Sequence, residues 1–232
     1  MRLSARFFCA LLVTAAVRCF ADDAADGRAL VAQLCAAVPD ENAELRATVQ
    51  IRSSAVHADV PLRCNIAVAA NSWSATYLVS NDCLTVTHVT NGPNQYSVSF
   101  NHGPTNSILP SAAEVPLAGS DFTLADLGLD FLHWPTQRQL PGDMRLGQPC
   151  YVLESSRPAG GVVRIRSYID KQSGGIIVAE GCDAAGKLVK KFSLHGSSFR
   201  RVHGQWRLEK MEMTDKRKGS QTTIVFDTTN HQ

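Results

Sequence analysis

The chain has 232 residues, with 23 Lys and Arg against 21 Asp and Glu and a formal net charge of +2 at pH 7. Residues 1–21 hold Arg2, Arg6 and Arg18 and no acid, so without them the basic count falls to 20 against 21 acids and the net charge to −1. That balance gives no electrostatic footprint for nucleic acid, and the remainder is a suitable length for one β-rich domain.

In chain order, Arg2 and Arg6 precede the apolar run Phe7–Val17, and small residues follow. A basic start and a short apolar run describe an export signal. The run is about 11 residues where a bilayer span needs roughly 20. Ala21, with Cys19 two before it, fits a small-x-small cleavage site, which leaves a domain over 22–232 in an oxidising, periplasmic compartment. Lipidation at Cys19 is the alternative, and Arg18 is a poor neighbour for it.

Over Asp26–Val38, Leu30, Val31, Leu34, Cys35 and Val38 form one apolar stripe at helical spacing, and Pro39 follows. The period then drops to two. Leu45–Arg52, Leu62–Ala70, Ser72–Val79, Cys83–Thr90 and Gln95–Phe100 alternate as strands, separated by turn residues such as Asn81-Asp82 and Asn91-Gly92-Pro93. Residues 102–118, with three prolines, read as an irregular crossing. A helix is expected over 121–133, capped by Ser120, Asp121 or Thr123 and stopped by Pro135.

A second strand run follows: Pro149–Ser155, Val162–Ile169, Ile176–Cys182, Lys187–Leu194, Ser198–His203, Gln205–Met213 and Thr222–Phe226. His203-Gly204 reads as a tight hairpin loop. Up to a dozen strands with two helices exceed a flat open sheet, so the sheet should curl.

The segments GSDFTLADLGLDFLHWP (119–135), GQPCYVLESS, SYIDKQSGG, DAAGKLVKKF, GQWRLEKMEM and TTIVFD resemble the bacterial outer-membrane lipoprotein-sorting-protein-like family, related to the periplasmic lipoprotein carriers. The resemblance covers roughly 119–227 and is loose over 27–118. It implies a mainly β fold, a single curled antiparallel sheet forming an incomplete barrel with a helical lid. It also implies binding of a lipid or lipoprotein acyl moiety, with no cofactor. No segment matches the carriers' lid-anchoring arginine, so Arg52 and Arg63 remain unassigned.

The candidate cavity wall follows from strand alternation. Val163, Ile165 and Ile169 share one face, with Arg164, Arg166 and Tyr168 on the other. Phe192 and Leu194, Ile224 and Phe226, and in the first half Ile66, Val68, Trp73 and Tyr77, are assigned to the same interior. Phe122, Leu124, Leu127, Phe131 and Trp134 form the candidate lid. Any one of these can equally be ordinary core.

Other chemistry finds little support. Seven histidines, at 57, 88, 102, 133, 195, 203 and 231, show no HxH or HExxH spacing, and neither CxxC nor GxSxG occurs. Metal binding and catalysis are therefore not expected. A hydrolase and a filled envelope scaffold are the competing classes. Lys190-Lys191, Arg200-Arg201 and Lys216-Arg217-Lys218 read as a solvated rim, or as contacts for a membrane surface or an envelope protein partner. Five cysteines remain, Cys35, Cys64, Cys83, Cys150 and Cys182, and their pairing stays open. Cys64 and Cys83, two strand spacings or roughly 10 Å apart, are beyond disulfide reach.

Overall fold

The computed structural model describes residues 23–194, 198–202 and 205–227. The export signal, the Ala21 and Cys19 alternatives, His195 and the His203-Gly204 loop lie outside the described residues.

Helix α1 covers residues 23–35. Fifteen strands follow, each starting about where turn chemistry ends and alternation begins. β1 is Ala43–Arg52, β2 His57–Ala69, β3 Ser72–Val79, β4 Asp82–Val89, β5 Gln95–Ser99 and β6 Asn106–Ile108. Then come β7 (Thr136–Arg145), β8 (Gln148–Ser156), β9 (Arg164–Asp170), β10 (Ile176–Cys182) and β11 (Leu188–Ser193). The last four are β12 (Phe199–Val202), β13 (Gln205–Leu208), β14 (Lys210–Asp215) and β15 (Ser220–Phe226).

Thirteen strands make one antiparallel sheet, ordered β6-β5-β4-β3-β2-β1-β15-β14-β11-β10-β9-β8-β7. Two meanders meet where β1 pairs with β15, Val49 opposite Ile224. Both ends of the order are edge strands, so the sheet is not closed into a barrel. β12 and β13 form a separate hairpin, an excursion between β11 and β14.

Several elements depart from the sequence reading: β6 forms inside 102–118, which was expected as an irregular crossing, and pairs with β5. β7 was not anticipated, because Pro141-Gly142 sits inside it. The strand absorbs them with a register shift between Leu140 and Asp143, and edge strands and bulges are where proline is tolerated. The stretch expected as one strand over Gln205–Met213 breaks at Glu209: β13 pairs with β12, whereas β14 joins the main sheet.

The expected single helix over 121–133 is also two short pieces. Helix α2 spans only Leu124–Leu127, and a 3-10 turn covers Asp130–His133. Thr123 is the cap: its amide donates to Asp126 Oδ2 at 2.7 Å and its hydroxyl accepts from the Asp126 amide at 3.3 Å, a capping box. Leu129 then enters the left-handed region at φ 50° and ends the helix. Asp121 is no cap. Its carboxylate is buried, accepting from Ser220 Oγ at 2.6 Å and Thr222 Oγ1 at 3.0 Å.

Helix α1 and the connector 109–134 pack on one face of the sheet, the inner face. Leu117 and Phe122 meet Val49, Leu62 and Ile224, Leu124 meets Leu84, Val86 and Val98, and Leu30, Phe131 and Leu132 meet Leu153 and Ile169. The outer face has a smaller core of its own, with Tyr168 among Val152 and Val178. Arg145, donating to the Tyr168 hydroxyl at 2.7 Å, covers that ring.

Helix α1 lies close to β7. A Cβ on Gly27 would stand 2.7 Å from the backbone Cα and N of Arg138. Gly27→Ala should therefore lower stability by about 1–3 kcal/mol through overpacking, outweighing the roughly 1 kcal/mol that alanine's helix propensity contributes. Urea unfolding of the variant measures this.

The five described cysteines are all free. Cys64 pairs in register with Tyr77 and Cys83 with Leu78, so Cys64 and Cys83 lie two strands apart and on opposite faces.

Candidate functional site

The inner face encloses a cavity of about 1000 Å³. Its walls come from distant strands: Leu45, Cys64, Ile66, Trp73, Ala75 and Tyr77 on one side, Ile165, Ala179, Phe192 and Met213 on the other. Trp73 on β3 and Ile165 on β9 are seven strand positions apart, roughly 34 Å in a flat sheet. Lining one cavity requires the sheet to curl. The roof is the connector, through Phe122, Leu127, Phe131 and Trp134, with Leu34 of α1 beside it.

Ile66, Trp73, Tyr77, Ile165, Phe192 and Phe226 of the expected wall line this space. Ile169 and Ile224 have the right parity but are buried under the roof residues. Val68 lies at the end of β2, where its amide donates to Asn42 Oδ1 at 2.7 Å. Val163 and Leu194 fall just outside β9 and β11, where strict alternation lapses, and Val162 lines the cavity instead. Leu124 of the expected lid is fully buried against β4 and β5, away from the cavity.

The charged residues of the lining are paired, Arg157 with Glu114, Lys190 with Asp126 and Arg217 with Asp215, and the wall residues Cys64 and Tyr77 carry no charge. Burial pushes the Cys64 thiol up to about 11. Burial, with Cys64 adding to it, raises the Tyr77 phenol as well. Both stay neutral at ordinary pH, as an apolar wall requires. Cys35 and Cys150 are likewise raised by burial, opposite to the shift that activates a cysteine nucleophile. Among the described residues, no cluster of three or more His, Cys, Asp or Glu could hold a metal ion.

Polar contacts pin the roof, and local sequence patterns gave no sign of most of them. Lys190 of β11 pairs with Asp126, within the cavity lining. Asn94 Nδ2 donates to the Gly128 carbonyl at 2.5 Å, and Tyr96 donates to Asp130 Oδ1 at 3.1 Å. Trp134 Nε1 donates to Asp130 Oδ2 at 3.2 Å. At the far end, buried Gln137 donates to the carbonyls of Phe131 at 2.9 Å and Trp134 at 3.0 Å, and accepts from Ser155 at 2.7 Å. Arg157 stacks 4.3 Å over the Trp134 ring and reaches Glu114 at 3.2 Å.

His88 stacks on the cavity residue Trp73 with ring centroids 3.9 Å apart. Burial first, and then the nearby His133, lower its pKa from 6.5 to about 4, against a hydrogen bond to Asn94 that raises it. The unfolded chain therefore takes up a proton below pH 6.5 that the folded protein resists. Stability contributed by neutral His88 is complete above pH 6.5 and is lost as pH falls through about 4. Allowing for partial exposure, the loss is about 2 kcal/mol. Asp170, held low by Ser173, acts in the same direction but only below the ordinary carboxylate range. Urea midpoints should fall between pH 6.5 and pH 4 in the native chain, and less in His88→Phe, which keeps a ring on Trp73 and leaves only His133 lowered by burial.

Solved lipoprotein-sorting and LolA superfamily proteins share the fold of this curled, unclosed antiparallel sheet. The comparisons agree. A DUF1329 family protein from Desulfovibrio piger superposes with a TM-score of 0.70 at 16% identity, over 89% of this chain and 92% of that one. A putative outer membrane lipoprotein-sorting protein domain from Vibrio parahaemolyticus gives 0.66 at 17%, over 90% and 95%. A LolA superfamily protein from Nitrosomonas europaea gives 0.58 at 13%, over 88% and 91%. No curated protein matches in sequence. A family model described as an uncharacterized protein matches residues 81–232, and the chain belongs to that family. The resemblance first visible over 119–227 thus holds for the fold of nearly the whole chain.

Proposed function

We propose that this protein is a periplasmic carrier that binds a lipid or lipoprotein acyl moiety in the cavity and performs no covalent chemistry on it. The supporting observation is the cavity of about 1000 Å³, walled by aromatic and aliphatic side chains and left unfilled by the protein's own residues. Apolar pockets of this size suit ligands that bury most of their surface, and each methylene taken from water contributes about 0.8 kcal/mol. A filled scaffold would have no such space, and a hydrolase would need an activated nucleophile where the buried thiols are held protonated.

The connector acts as the gate. Its apolar underside closes the cavity, and its polar pins add to short pieces that Leu117, Phe122 and Leu124 seat in the core. Replacing Leu127 with serine removes roof cover from a half-buried position and should weaken binding of a fluorescent fatty acid about tenfold. The double change with Phe131→Ser should weaken it further. Unchanged affinity and uptake in both variants would exclude the gate.

A further inference from the structure

Antiparallel pairing sorts the turns into two rims. The β2–β3, β4–β5, β7–β8 and β9–β10 turns and the β12–β13 excursion share one rim, here the lower; the remaining turns form the upper. Exposed large apolar residues gather at the lower rim. Val38, Met144, Leu146, Tyr151 and Phe199 are there, 39–57% exposed. Leu109 and Leu129 extend the set onto the connector side, and only Val56 and Phe100 lie at the upper rim among the described residues.

Two of these leucines work against folding. Leu146 and Gly147 form the two-residue β7–β8 turn, both at positive φ (52° and 78°), with Arg145 opposite Gln148. Such a turn favours Asn-Gly, because a side chain is strained there. Leu129 is also left-handed, at φ 50°. Folding alone would place asparagine or glycine at both, so an exposed leucine in a strained turn points to a role outside folding. Cations accompany them. Lys171 lies 4.8 Å over the Tyr151 ring. Asp143 offsets Arg145 at 2.7 Å. Cavity-lining residues, Leu34, Ala37, Gly174, Gly175 and Leu208, reach this same rim.

We propose that the lower rim docks on a phospholipid bilayer, with Met144 and Leu146 entering the headgroup layer and the basic residues favouring anionic lipid. Apolar tips flanked by cations are what an interfacial contact requires. Docking is independent of the acyl reading; that it sets the cavity beside a source of acyl chains rests on that reading.

The test is co-sedimentation of the full chain with vesicles of phosphatidylcholine alone or mixed with phosphatidylglycerol. The chain should bind both, the anionic vesicles more tightly and with salt dependence. Leu146→Asn should lower partitioning about tenfold, and Met144→Ser with it should lower it further, while thermal stability holds or rises because asparagine suits the turn. Undiminished binding by the double variant overturns the proposal, as does a native chain that ignores both vesicles. Self-association lost in Leu146→Asn, without vesicle binding, reassigns the rim to a second copy of the chain. A fatty acid probe separates the two readings: probe binding without vesicle binding defeats docking alone, and the converse defeats the acyl cavity alone.

Discussion

Replacing Ala179 with tryptophan is expected to weaken binding of a fluorescent fatty acid by about a hundredfold while leaving the fold intact. Ala179 lines the cavity from the middle of β10, between Phe192 on β11 and Ser167 on β9. The added indole enters empty volume rather than packed neighbours, so overpacking is small. Excluding about four methylenes of ligand forfeits roughly 3 kcal/mol of burial, which is the hundredfold. Fluorescence titration and a urea curve together separate this from simple unfolding. Full affinity in a well-folded variant would place the ligand elsewhere.

The largest stability effect is expected at Asp121. Asp121→Ala leaves Ser220 Oγ and Thr222 Oγ1 without their acceptor in a site where Thr222 is 0% exposed and Asp121 5%. Buried unsatisfied groups cost about 1–3 kcal/mol each, so the variant should lose about 3 kcal/mol in urea unfolding. Asp121→Asn, which keeps an acceptor oxygen, should lose about half of that. The loss has a functional corollary: Asp121 anchors the connector to β15 beside Phe122, and acyl binding should weaken with it. A mild effect from the alanine change would mean that the connector is held by its other pins.

Strands were legible because their information is local. Ser72–Val79 alternates and Ile176–Cys182 is a short apolar run, each bounded by turn residues, and both occur as read. β7 was hidden because its signal depends on being an edge with a bulge, a fact about neighbours rather than about Pro141-Gly142. The connector misled in a related way. Phe122 through Leu132 has helical spacing, but residues spaced that way can also bury against different strands one after another. Phe122, Leu124 and Phe131 do so in three separate clusters.

Alternation located the cavity wall only where strands stay regular. Ile66, Tyr77 and Phe192 lie within strands and line the space; Val163 and Leu194 sit one step beyond strand ends and do not. Parity also cannot distinguish an open face from a covered one, which is why Ile224 lies beneath Phe122 instead of lining the cavity. The pins were beyond sequence reading. Lys190 and Asp126 are 64 residues apart and Asp121 and Ser220 are 99 apart, and no periodicity links such partners.

The most direct test of the account is native mass spectrometry of the protein purified from a bacterial periplasm, followed by organic extraction. The account predicts a co-purified amphiphile with at least one acyl chain, bound in stoichiometric amount to the native chain and absent from Ala179→Trp. A bare mass for the native chain that no added fatty acid or phospholipid shifts would contradict it.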